Sequence, residues 1–165
     1  MQLYPAIDMK NGKCVRLRQG AFKDITVYSE HPEEIAALWQ EKGATFLHLV
    51  DLDGALAGRS VNEETIKKIV SSVNIPVEIG GGIRSEEAIK NMLALGVKRV
   101  IIGTKAVEEP EFLKDMVEKF GADAIAAGVD AKDGMVAIQG WEQVSTVTAT
   151  DLCLKMKEYG VKHII

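Results

Sequence analysis

Cysteine is scarce in this 165-residue chain, and the two present, Cys14 and Cys153, stand far apart with no clustered histidine beside either. That argues against a disulfide framework or a zinc site and predicts two reduced thiols, one in a strand and one in a helix. Runs of basic residues are missing as well. With a net charge of -4, a pI near 5.5 and no interleaving of basic and aromatic residues, the chain offers no surface suited to a polyanion, and nucleic acid is not an expected partner. Long apolar runs are also lacking. Nothing approaches the roughly 18 residues of a membrane span, and Met1 leads into Leu3 and Ile7 without the basic and apolar regions of a secretory leader. The expectation is a cytoplasmic protein without membrane contact. What is there, 47% hydrophobic and 27% charged residues, suits one sizeable core and a single domain over residues 1–165.

One stretch organises the rest. Ala6-Ile7-Asp8-Met9-Lys10-Asn11-Gly12 returns in altered form as Gly128-Val129-Asp130-Ala131-Lys132-Asp133-Gly134. Each copy reads as a short apolar strand, an aspartate where the strand leaves the core, and a tight turn on Asn-Gly or Asp-Gly. Both aspartates either cap turns, as Asx residues commonly do, or face each other across one cavity as general acid and general base.

Between and around the copies, strands and helices alternate with short connections, the pattern of a parallel sheet wrapped by helices. Strands are predicted near Leu3–Ile7, Phe46–Val50, Ile75–Ile79, Val97–Ile102, Ala124–Val129 and Val161–Ile165, with hairpin strands at Lys13–Arg18 and from Met135 to Gln139. Helices are predicted from Pro32 to Gly43, after Asn62, after Ser85, around Pro110 and from about Thr150. Setting Gly160 against Gly43 places Ile165 opposite His48, so the chain is expected to stop within a sixth strand. An eight-stranded barrel takes about 250 residues, so the α/β pattern, with its two matching halves, predicts a fragment of such a barrel, truncated in that strand.

The triple glycine Gly80-Gly81-Gly82 follows a strand and precedes a helix, where backbone N–H groups approach a phosphate closely, or where the chain simply turns tightly. Gly103-Thr104 after the next strand adds a second such loop and a hydroxyl. Arg16, Arg18 and Arg84 are candidates to meet a carboxamide or a phosphate of a substrate, or else lie on solvated faces. His48 alternates with Phe46 and Val50 on its strand, as either a structural or a functional histidine. Trp141, beside Gly140, packs under its loop or stacks on a planar ligand.

Taken jointly, Pro5-Ala6-Ile7-Asp8, Gly12-Lys13-Cys14-Val15-Arg16-Leu17, Val50-Asp51-Leu52-Asp53-Gly54, Glu78-Ile79-Gly80-Gly81-Gly82-Ile83-Arg84 and Gly140-Trp141 resemble the phosphoribosylformimino-aminoimidazole carboxamide ribotide isomerases of histidine biosynthesis, over the whole chain. The resemblance implies a (β/α)8 barrel that performs an Amadori rearrangement, aminoaldose to aminoketose, on a small substrate phosphorylated at both ends. It implies Asp8 as general base, Asp130 as general acid, the glycine loops as one of two phosphate sites, no cofactor, no metal and a monomeric full-length form. The sister cyclase of the same pathway and a phosphate-binding fragment without turnover are the alternatives. The cyclase normally starts Cys-Leu-Asp and has a lysine in the first hairpin, where this chain has Ala-Ile-Asp and Arg16. Ending in the sixth strand, the 165-residue chain is further expected to leave its first and sixth strands unpaired on one side, to self-associate and to lack measurable activity.

Overall fold

The computed structural model describes residues 2–18, 21–138 and 143–165. The chain opens with β1 (Ala6–Lys10), β2 (Lys13–Arg18) and β3 (Ala21–Ser29), followed by α1 (Pro32–Glu41) and β4 (Leu47–Asp51). Two helices, α2 (Leu52–Ala57) and α3 (Glu63–Ser72), lead to β5 (Val77–Gly80), α4 (Glu86–Ala94) and β6 (Arg99–Ile102). Next come α5 (Thr104–Glu108), α6 (Pro110–Phe120), β7 (Ile125–Ala127), the short β8 (Ala131–Lys132), β9 (Met135–Ile138), β10 (Gln143–Thr148), α7 (Ala149–Glu158) and β11 (His163–Ile164).

The main sheet runs β11-β7-β6-β5-β4-β1-β2-β3, and β8, β9 and β10 form a separate antiparallel sheet. From β1 through β4, β5, β6 and β7 to β11 every neighbour is parallel. The sheet does not close among the described residues. From Asp8 to Lys10 the outer side of β1 is taken by β2, so the sheet ends at β3 and β11, and the expectation that β1 would stand open is corrected there.

Strand alternation separates two chemistries. Ile7, Met9, Leu47, Leu49, Ile79, Val100, Ile102, Ile125 and Ala127 face the helices and belong to one apolar core with Ala36, Ile66, Ile69, Ile89, Met92, Leu113, Leu152 and Met156. The intervening positions carry Asp8, His48, Glu78, Arg99 and His163 to the other face. Because β5, β6 and β7 are buried along their whole length, their sequences run apolar with few breaks, as parallel strands do.

The two hairpin turns match in detail. Asn11 and Gly12 have φ of 50° and 75°, and Asp133 and Gly134 have 52° and 81°, the double positive φ of the two-residue turn that fits strand twist. The repeat extends to the neighbouring strands: His48 N donates to Pro5 O at 3.0 Å, and Ile165 N donates to Ala127 O at 3.0 Å. Ile165 therefore occupies the register position of His48.

Several elements depart from the expectation. β3, α2, α5 and β10 were not foreseen. Residues 25–28, Ile-Thr-Val-Tyr, carry the β-branched and aromatic content of a strand and pair with β2 through Val15↔Val27 and Leu17↔Ile25. Cys14 is buried in β2 and Cys153 lies in α7, both free thiols.

Asp51 ends β4 fully buried, and its carboxylate organises the connection to α3. It accepts hydrogen bonds from the Gly54, Val61 and Asn62 amides, from Asn62 Nδ2 and from the Ser60 hydroxyl. Removing that acceptor strands several buried donors, each costing about 1–3 kcal/mol. Asp51→Ala should lower unfolding stability by roughly 3 kcal/mol or more, read as a lower midpoint in urea. A loss below about 1 kcal/mol contradicts the role assigned to this carboxylate.

Candidate active site

At the carboxyl ends of the parallel strands lies a cavity of about 320 Å³. Its wall brings together His48 from β4, Gly80 at the end of β5 with Gly81 and Gly82 after it, Gly103 and Thr104 after β6, and Asp130 after β7, together with Arg84. Carboxyl ends of parallel strands are where sheets of this class bind ligands, because the connecting loops converge there.

Asp8 and Arg16 are not on the cavity wall. They lie on β1 and β2, and the Asp8 carboxyl feels the charges of Arg16 and His48. Burial raises the Asp8 carboxyl above the ordinary aspartate range, and the charge of Arg16, with that of His48 when it is protonated, opposes the shift. Asp130 exposes much of its residue surface at the cavity mouth, yet enough protein surrounds its carboxyl that desolvation raises it too, with His48 again opposing. His48 is thus within electrostatic reach of both aspartates of the repeat. Trp141 and the side chain of Arg18 lie outside the described residues.

The glycine loop owes its shape to the Asp51 connection beneath it. A Cβ at Gly81, where φ is +109°, would stand 2.2 Å from Asp51 O, and a Cβ at Gly82 would stand 2.3 Å from Gly54 O. These glycines are therefore required for packing, whatever else they bind. Gly103 differs, since a Cβ there meets nothing within 4 Å. The Arg84 guanidinium lies against Gly58, 3.3 Å from where a Cβ would be.

Two connections tie the first hairpin to this loop. Asn11 N donates to Asp53 Oδ2 at 2.6 Å and Gly12 N to Asn62 Oδ1 at 2.9 Å, while Asn62 Nδ2 bonds both Asp51 and Asp53. Asn62 precedes α3 as a capping residue would, but its side chain makes no cap bond and is given to these loops.

Sequence reasoning missed Glu78. It is 1% exposed, with Oε1 2.9 Å from His48 Nδ1 and Oε2 2.8 Å from Arg99 Nη1. The signal was a lone acid inside an otherwise apolar buried strand. Among the described residues no three His, Cys, Asp or Glu side chains converge to hold a metal ion, and no helix is long and apolar enough to cross a membrane.

Fold and cavity define the class: an α/β protein with a mostly parallel sheet, whose strand-end cavity combines glycine loops, a histidine and an aspartate. The chain matches the histidine biosynthesis protein family over residues 2–165 and belongs to it. It is 59% identical over its full length to the 1-(5-phosphoribosyl)-5-((5-phosphoribosylamino)methylideneamino) imidazole-4-carboxamide isomerase of Lachnoclostridium phytofermentans, 69% of which it covers. To the isomerases of the same name from Desulfitobacterium hafniense and Thermodesulfovibrio yellowstonii it is 52% and 50% identical over its full length, covering 66% and 67% of them.

The two loops call for different substitutions. Gly81→Val forces a side chain into the Asp51 backbone and should leave little folded protein by circular dichroism. If a phosphate sits at the second loop, Gly103→Val should stay folded yet raise the dissociation constant for inorganic phosphate about tenfold or more, because a side chain there would stand in the anion's approach. Unchanged phosphate affinity of folded Gly103→Val in calorimetry contradicts a phosphate contact at this loop.

Proposed function

We propose that the protein is an intramolecular aldose-ketose isomerase of histidine biosynthesis, working in the cytoplasm on a small ribotide phosphorylated at both ends. The parallel run β1, β4, β5, β6, β7, β11 is the consecutive strand order of a (β/α)8 barrel, and we read the sheet as part of one. The observation that carries the reaction is the pair Asp8 and Asp130, in equivalent positions of two hairpins with matching turn geometry, both influenced by His48. The relatives' shared name, isomerase, favours this reading over the sister cyclase.

In the rearrangement, Asp130 gives its proton to the ribose ring oxygen as the bond from that oxygen to the anomeric carbon breaks. The nitrogen lone pair on that carbon forms the C=N bond of a Schiff base. Asp8 then removes the proton from the neighbouring carbon, whose C–H electrons form the C=C bond of an enol as the C=N electrons return to nitrogen; loss of the enol hydroxyl proton and protonation of the former anomeric carbon give the ketose. A raised carboxyl suits the acid, which must hold a proton at working pH. Asp8 remains useful as a base so long as pH lies above its raised value. The glycine loops and Arg84 are assigned to one terminal phosphate, and Arg16 and Trp141 to the substrate's remaining polar and planar groups. No cofactor is needed for this proton transfer chemistry.

A second reading has its own observation. The chain spans 66–69% of the length of the relatives named above, and its sheet is open among the described residues. Binding at one phosphate site without turnover would follow if the acid needs a closed, drier cavity. Calorimetry with phosphate beside a turnover assay separates the two readings.

Asp8→Asn and Asp130→Asn should each lower turnover by about 10² to 10⁴ with substrate affinity nearly intact. The pH profile should fall at low pH as Asp8 gains a proton and at high pH as Asp130 loses one. A carboxyl raised on folding contributes stability below its unfolded value and loses it as pH rises through the folded value. At neutral pH both Asn variants should therefore melt at or above the temperature of the parent. Near-normal turnover in either variant removes that residue from the mechanism.

A further inference from the structure

Glu78 takes no part in the reaction as written, yet it is a carboxylate in the middle of a buried strand, where a charge costs stability unless every lone pair is satisfied. Its two oxygens are divided between His48 Nδ1 and Arg99 Nη1. Arg99 is itself fixed: Nε donates to Asp123 O at 3.2 Å, Nη2 meets His163 Nε2 at 3.1 Å, and the guanidinium lies 5.1 Å from the centre of the Phe46 ring. A guanidinium only donates, so the Glu78 oxygen beside it is an acceptor and His163 Nε2 accepts as well. Desolvation pushes the Glu78 carboxyl up, but the hydrogen bonds and charges of His48 and Arg99 outweigh it and hold the group below its usual range. Glu78 is thus ionised, and His48 Nδ1 must be the donor of their shared bond.

We infer that Glu78, oriented by Arg99, is a positioning residue that fixes His48 in its Nδ1–H tautomer. In the neutral ring this leaves the Nε2 lone pair for the cavity that His48 lines. His48 then stands beside the two aspartates as an acceptor of defined direction, able to receive a substrate hydroxyl. The charged groups bearing on it are Asp8 from β1, Glu78 from β5 and Asp130 after β7, with Arg99 behind Glu78. The effect on turnover rests on the isomerase reading; the tautomer does not.

Glu78→Gln makes the test sharp, because the replacement is isosteric and Arg99 dictates how it sits. Its amide oxygen must face the guanidinium, which puts the NH2 group against His48 Nδ1 and makes that nitrogen the acceptor. The tautomer should reverse to Nε2–H. Proton–nitrogen correlation spectra of histidine-labelled protein, with the three histidines assigned through His48→Gln and His163→Gln, read this directly. The parent should show His48 protonated at Nδ1 and Glu78→Gln should show it at Nε2, with kcat reduced about 10- to 100-fold and KM within about threefold. A parent His48 protonated at Nε2, or a Glu78→Gln variant that keeps Nδ1–H, overturns the inference. So does a reversed tautomer with unchanged kcat. Should Glu78→Gln not fold, Arg99→Met keeps the carboxylate and must keep the Nδ1–H tautomer; its loss there also overturns the inference. A parent without turnover but with the stated tautomers rejects the isomerase reading alone.

Discussion

The Asp51 carboxylate is the constraint on which the site is built. A buried anion is tolerable only when donors replace its water, and here the donors come from the ten or so residues that follow it, so that stretch winds back around its own first residue. The winding presents Asp51 O and Gly54 O to the next loop at distances where only glycine fits. It also presents Asp53 and Asn62 to the turn of the first hairpin, whose amides they hold. The strand that carries Asp8, the hairpin that carries Arg16 and the loop that carries the triple glycine are all referred to one carboxylate that is not on the wall of the strand-end cavity.

The two faces of the sheet then divide the labour between stability and chemistry. The helix-facing side is apolar and close-packed. The opposite side carries a continuous polar chain, His48 to Glu78 to Arg99 to His163, below the cavity. Such a chain stabilises little on its own account, because desolvation offsets most of the attraction between its charges. What it provides is direction: each member has its partner on another strand of the sheet, so ring and carboxylate orientations are set before any ligand arrives.

Much of this was legible in the sequence, for reasons that can be named. The matched turns could be read because Asn-Gly and Asp-Gly serve one turn type, and the predicted helices could be read from proline, serine and acidic residues at their starts. Equivalence of Ile165 with His48 followed from spacing alone and agrees with the hydrogen-bond register. Hidden, by contrast, was everything that depends on partners distant in sequence. Asp51 looked like Asp53, an acid at a strand end, and only the fold shows one buried and the other reaching the hairpin. Gly81 and Gly82 looked like anion binders, whereas their immediate requirement is backbone packing. Glu78 stood out as a lone acid in an apolar strand, but its role could not be read until Arg99 and His48 were seen beside it.

If Asp51 holds the three loops together, its replacement should loosen them before it loosens the sheet. Amide hydrogen exchange of Asp51→Asn against the parent measures that directly. The account predicts that protection falls about tenfold or more at Asn11, Gly12 and Val61 while amides of β5 and β6 keep theirs. Unchanged protection at Asn11 and Gly12, or a uniform loss across the whole sheet, would contradict it.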